Sequence, residues 1–301
     1  MRRLSLLLLL LGACGGDDDG AGGDGGDGQP DAASADDPDA GDEATSCEAD
    51  RQNARFVISS TEDYGGISGA WNDVPMPAML EEKVAAGGCA FFAPEPSFCD
   101  PPCDGATVCA VGGTCRPYPS SIPAGDLHVA GSSPALDLPE PEPGFSYYTT
   151  ENYPDLFAAG DELTLSGGGS GVDPFEMTTF GVPQLTMSTT SFTATEHEEM
   201  QVAWDADESS PAGTRVVLHM DSDHHGTRAY VECWSDDTGA LTVPVSVLDP
   251  LILAGESGIG TYIENAYISR IARGWVATDA GCAVFDAESF VSVSVETVRA
   301  E

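Results

Sequence analysis

Three of the five histidines of this chain fall in one short stretch, "HMDSDHHG", residues 219–226, interleaved with Asp221 and Asp223. Imidazole nitrogens and carboxylate oxygens at that density are ligands for zinc, manganese and similar divalent ions. On a strand the side chains alternate, so His219 and Asp221 share one face and Val216, Leu218 and Met220 the other. The turn that follows then offers Asp223, His224 and His225. These five residues, His219, Asp221, Asp223, His224 and His225, are the candidate metal ligands. A metal-binding protein or metal-dependent hydrolase is the matching function. The competing expectation is a solvated hairpin tip, since Asp, Ser and Gly favour turns for conformational reasons.

Stricter metal and catalytic patterns fail. The stretch is one substitution from the H-x-H-x-D-H motif of the metallo-β-lactamase fold, with Asp221 in place of the second histidine. No histidine follows His225, however, and the α/β alternation of that fold is missing. Asp221, Asp223, Gly226 and Glu232 also match a calcium-loop spacing, but His225 and Arg228 break the pattern, and the flanks alternate as strands where helices are required. "HEEMQ" at 197–201 begins like a zinc-binding H-E-x-x-H helix, with Gln201 replacing the second histidine. The glycine runs "SGGGSG" (166–171) and "GESGIG" (255–260) carry no phosphate-loop lysine and read as loops. There is no G-x-S-x-G elbow and no evident Ser–His–Asp set. A separate binding candidate is "FSYYTTENY": exposed Tyr147, Tyr148 and Tyr153 beside a β-sandwich could stack on sugar rings, with core packing as the competing role.

The elements that must position these residues are strands. "FVSVSVETV" places Val291, Val293 and Val295 on one face, and "MQVAW", "VVLHM", "ELTLS", "PQLTMS", "RAYVEC" and "ALTVPVSV" alternate in the same way. "FVISS" and "GGISGAW" add strands from the N-terminal side. Short alternating runs separated by Gly, Pro, Asp and Ser indicate a mainly β chain, with a β-sandwich or jelly-roll-like body. "AMLEEKVAAGG" is the best short-helix candidate, and 248–253 suits a single turn. The organisation expected is N-terminal strands plus a cysteine-rich segment over 47–120, then a β-sandwich region over 121–301, with a softer division near residue 195.

Setting Cys14 aside, eight cysteines remain: Cys47, Cys89, Cys99, Cys103, Cys109, Cys115, Cys233 and Cys282. An even number in an exported chain reads as disulfides. The tight C-x3-C-x5-C-x5-C run predicts an interleaved pair, Cys99–Cys109 and Cys103–Cys115, with zinc as the rival occupant. Cys47–Cys89 and Cys233–Cys282 would complete the set.

The first residues, "MRRLSLLLLLLGAC", combine two arginines, a short apolar run and a cysteine. The run is too short for a permanent membrane span and fits an export signal over 1–13. Leu11-Gly12-Ala13-Cys14 resembles the lipobox of bacterial lipoproteins. That resemblance implies cleavage before Cys14, lipidation of this residue, and anchoring to the outer membrane on its periplasmic or cell-surface side. Residues 15–46 hold eleven acidic residues and no basic, aromatic or large aliphatic one. Such a segment cannot offset its ordering entropy and reads as a disordered tether, with a reach of roughly 30 Å. The cysteine cluster followed by "YPSSIPAGDLHVAG" resembles uncharacterised cysteine-motif, β-rich lipoproteins of high-GC Gram-negative bacteria over residues 89–131. This likeness implies architecture and address, and no catalytic residue.

The charge narrows the partners. Fifty acidic residues against eleven basic ones give a formal net charge of −39. Phosphate backbones are repelled by such a surface, which excludes nucleic acid as a partner. The sequence therefore points to an anchored, non-enzymatic binding, adhesion or structural module with a glycan or protein partner. The cofactor expected, if there is one, is a divalent metal.

Overall fold

The alternation of apolar and polar residues resolves into strands that bury one face each. The computed structural model describes residues 47, 50–94, 99–224, 227–254, 262–278 and 281–300. In chain order the elements are β1 (Gln52–Ser60), β2 (Gly65–Asn72), β3 (Glu81–Ala86), β4 (Cys89–Ala93), β5 (Thr107–Ala110), β6 (Thr114–Pro117), β7 (Ser121–Ile122), β8 (Leu127–Ala130), β9 (Leu136–Leu138) and β10 (Ser146–Tyr148). They continue with β11 (Glu162–Gly167), β12 (Phe175–Phe180), β13 (Ser191–Thr195), β14 (Met200–Ala203), β15 (Arg215–His224), β16 (Thr227–Asp236), β17 (Ala240–Val243), α1 (Val245–Ala254), β18 (Tyr262–Thr278) and β19 (Gly281–Val298). The chain is mainly β, as its patterning indicates.

One large sheet runs in the order β10-β2-β1-β19-β18-β15-β16-β4-β3, with β7 pairing β2 and β13 pairing β19. The two long strands β18 and β19 are its centre. β19 is shared: its first half pairs in parallel with β1 and its last five residues pair in parallel with β13. One face of this sheet carries two cores. Phe56, Ile58, Phe285 and Ala287 pack against the four-stranded sheet β12-β11-β8-β9 through Leu163, Leu165, Met177 and Val129. Further along, Leu218, Met220, Val231 and Ile268 pack against α1 and the β14–β17 pair through Leu248, Leu251, Val202 and Val243. Each fully buried side chain of this size contributes about 1.5–3 kcal/mol by leaving water.

Between the two cores, on the same face, lies Arg270, which is 0 % exposed. Its guanidinium donates to the carbonyls of Pro183 (3.2 Å), Gln184 (2.9 Å) and Asp205 (2.7 Å) and to Asp237 Oδ1 (3.1 Å). Asp237 also accepts from Trp204 Nε1 at 2.7 Å and Ser210 Oγ at 2.6 Å. A buried charge survives only when paired and hydrogen-bonded in this way. The segment read from sequence as the strand "PQLTMS" is instead an irregular extended stretch. Its carbonyls go to Arg270, and the Leu185 amide goes to Ser289 Oγ at 3.0 Å.

Two local expectations change. "AMLEEKVAAGG" is not a helix: Glu81–Ala86 forms the edge strand β3, joined to β4 by Gly87 and Gly88 at φ 59° and 78°. Two successive positive φ values are the geometry of a tight hairpin turn that glycine adopts without steric cost. The run near Leu248 is longer than one turn: α1 spans ten residues, with Val247, Leu248, Leu251 and Ile252 buried.

Four disulfides are present. Cys99–Cys109 and Cys103–Cys115 pair as the spacing suggested. The other two are exchanged relative to expectation: Cys47 bonds Cys282, and Cys89 bonds Cys233. The cause is strand order. β4 lies directly beside β16, which places Cys89 opposite Cys233, and β1 lies beside the start of β19, which brings Cys282 to the N-terminal end.

Candidate functional site

β9, β10 and the segment that follows each of them line an open cleft of about 430 Å³. Its walls include Asp137, Glu140, Tyr148, Thr149, Glu151 and Tyr153. The three tyrosines expected to act together do not share a role. Tyr148 presents its ring at the cleft, 57 % exposed. Tyr153 is half-buried, and its hydroxyl donates to Glu151 Oε2 at 2.9 Å, which raises its pKa, with burial second. Tyr147 is a core residue: it is 2 % exposed and its ring lies 6.1 Å from that of Phe56. Its hydroxyl accepts from Ala124 N–H at 3.1 Å and donates to the Gly125 carbonyl at 2.7 Å. Period-two alternation explains the split, since Tyr147 and Tyr148 point to opposite sides of β10.

The "HMDSDHHG" stretch forms the end of the β15–β16 hairpin, whose strands pair in register from Arg215↔Asp236 to His224↔Thr227. His219 and Asp221 lie on one face of the sheet, opposite Val216, Leu218 and Met220, as the alternation requires. Neither is at a solvated tip: both are 4 % exposed. The imidazole of His219 is stacked between Tyr230 and Tyr267, 5.0 Å from each ring centre. Its Nε2 faces Asp221 Oδ2 at 3.9 Å and its Nδ1 faces Glu232 Oε2 at 3.8 Å. Burial favours the neutral ring, but the two carboxylates outweigh it and hold the pKa above the usual histidine value.

This is not the convergence that a metal needs. The two carboxylates address different nitrogens of one ring, so no single point is within coordination distance of all three. Asp223 and His224 continue β15 in backbone, while their side chains and His225 lie outside the described residues, as does Cys14. Among the described residues, the one group of three candidate ligand atoms lying within 4.8 Å of one another is the sulfurs of Cys99, Cys103 and Cys115. All three sulfurs are committed to disulfides and are not thiolates, which removes zinc as the occupant of that cluster.

The same sheet face continues as a buried ionic band. Asp286, 0 % exposed, lies between Arg55 (Nε to Oδ2, 2.9 Å) and Arg273 (Nε to Oδ1, 2.7 Å). Burial works against its ionisation, but the two guanidiniums hold its carboxyl below the usual range. Neighbouring Glu288 accepts from Ser59 Oγ at 2.7 Å, and burial pushes its pKa up.

No protein-family model matches this chain, and no curated protein matches it.

One arrangement escaped the sequence reading. Asp137 on β9, His128 on β8 and Ser166 on β11 are cross-strand neighbours in one row. His128 Nδ1 meets Asp137 Oδ1 at 2.7 Å. The order Asp–His–Ser invites comparison with a hydrolytic triad, and only strand register could have revealed it. The row lacks the remaining requirements. No hydrogen bond joins His128 to Ser166. β11 is paired on both sides, by β8 and β12, so the amides around Ser166 are committed to ladders and not free to hold an oxyanion. His197 is likewise structural: its N–H and Nδ1 meet the two carboxylate oxygens of Asp249 at 2.8 and 2.9 Å, fixing a left-handed turn (φ 67°) onto α1.

Proposed function

We propose that this chain is a lipid-anchored, non-enzymatic binding module of the outer membrane, facing the periplasm or the cell surface, which holds a glycan in the cleft between β9 and β10. The observation that carries the reading is the ring of Tyr148, more than half exposed at a cleft walled by hydroxyl and carboxylate groups. A flat aromatic ring that stays exposed on an edge strand offers stacking area at low entropic cost. The surrounding polar groups supply the directional contacts a sugar requires. The lipobox-like Leu11–Cys14 and the acidic stretch that follows support the address, and four disulfides suit an oxidising compartment.

The test is a glycan array probed with the full chain in detergent, beside Tyr148→Ala. Binding that disappears in the variant, with thermal unfolding unchanged, is the expected result. A folded wild-type protein that captures no glycan on the array would defeat the reading.

A further inference from the structure

The cleft carries more chemistry than one exposed ring. Its lining includes three carboxylates, Asp137, Glu140 and Glu151, and no lysine or arginine. Each carboxylate is oriented through one of its own oxygens. Asp137 Oδ1 meets His128 Nδ1 at 2.7 Å. Glu140 Oε2 accepts from the Gly125 amide at 2.8 Å and from the Ser170 hydroxyl. Glu151 Oε2 accepts from the Tyr153 hydroxyl at 2.9 Å. Among the described residues, no other hydrogen bond reaches these three side chains, so the second oxygen of each remains for a ligand.

Fixed acceptors with a spare oxygen suit a group that only donates. An ammonium has three donors and no acceptor. A carboxylate already oriented by an internal donor loses little further freedom on binding it. Anionic ligands meet three like charges here, on a chain whose formal net charge is −39. A neutral sugar would stack on Tyr148 yet leave the charge of the walls unanswered. Resting on the glycan reading above, we infer that the cleft selects an amine-bearing saccharide, whose ring stacks on Tyr148 and whose ammonium groups are held by Asp137, Glu140 and Glu151.

Isothermal titration of the full chain in detergent compares a glucosamine oligosaccharide with its fully N-acetylated counterpart, at about pH 6, where the sugar amines carry charge. The expected result is at least ~10-fold tighter binding of the amine form, worth ~1.4 kcal/mol. The difference should shrink in high salt, because exposed charges are screened. It should also shrink in the Asp137→Asn/Glu151→Gln double variant, whose thermal unfolding stays close to wild type because both groups lie at the surface. Equal affinity for the two forms would overturn the amine selectivity and leave glycan binding standing. Failure of both forms to bind a folded protein would overturn this inference, and the array experiment would decide the broader reading separately.

Discussion

Arg270→Met is the most demanding single test of how this fold is held together. The guanidinium is fully buried between two hydrophobic cores and is tied to three backbone carbonyls and Asp237, with Nε 2.8 Å from Asp237 Oδ2. Methionine fills much of the same volume but satisfies none of these acceptors, and it strands Asp237 near Trp204 and Ser210 without its counter-charge. Removing one partner of a buried ion pair costs about 3–5 kcal/mol. For a chain of this size each kcal/mol lowers Tm by about 2–4 °C, so a fall of roughly 6–20 °C is expected. Near-UV circular dichroism under non-reducing conditions reads the transition. Arg270→Lys should fall between the two, keeping the charge but losing the planar fork that serves several acceptors at once. Adding Asp237→Asn to Arg270→Met should cost less than the sum of the single changes, because the stranded charge is gone. A Tm within about 3 °C of wild type for Arg270→Met would show that the seam between the cores contributes little, and the reasoning would be wrong.

Further outcomes follow from other sites. His219 has a folded pKa raised by Asp221 and Glu232 against burial, so its stabilisation is complete below the unfolded value of about 6.5 and is lost as pH rises through the folded one. Melting temperature should therefore decline as pH rises above about 6.5, and in His219→Phe combined with Asp221→Asn and Glu232→Gln the decline should be smaller, the remainder coming from groups such as buried Glu288, whose raised pKa acts in the same direction; a decline of equal size in the triple variant would assign it elsewhere. Tyr147→Phe should cost about 1–3 kcal/mol by leaving the Ala124 amide and the Gly125 carbonyl without their buried partner, while Tyr148→Ala should leave denaturant unfolding unchanged. Replacing Cys47 and Cys282 by alanine opens a link spanning 235 residues and should cost about 2–5 kcal/mol, measured by urea unfolding without reductant. Mass spectrometry of the purified chain, without a histidine tag, should find no stoichiometric transition metal retained through His219, since its two nitrogens face separate carboxylates.

Local features were legible where neighbours in sequence decide them. The alternation in "VVLHM" assigned His219 and Asp221 to one face correctly, and the crowded C-x3-C-x5-C-x5-C run suggested the interleaved pair that the structure shows. "AMLEEKVAAGG" shows two local signals in conflict. Glu, Lys and Ala favour a helix, whereas Gly87-Gly88 is a hairpin turn, and the partner strand Cys89–Ala93 decided the outcome. What stayed hidden was strand order. Nothing within ten residues of Cys89 says that β16 will lie beside β4, and so the long-range disulfides, the Asp137–His128–Ser166 row and the place of Glu232 beside His219 could not be read. The burial of Tyr147 beside exposed Tyr148 was readable in principle from alternation, but only after β10 was known to be a strand rather than a loop.

The Cys47–Cys282 bond has a mechanical consequence. Cys282 begins the strand flanked by β1 on one side and β18 on the other. A pull arriving from the N-terminal side of Cys47 therefore need not peel β1 away from its neighbours one hydrogen bond at a time. The force crosses the disulfide into β19, where β18 pairs along nearly the whole strand and shares the tension across many ladder bonds at once. A body dragged by its N-terminus through moving fluid would be held at the middle of its largest sheet, and reduction of one bond would shift that grip to a single strand.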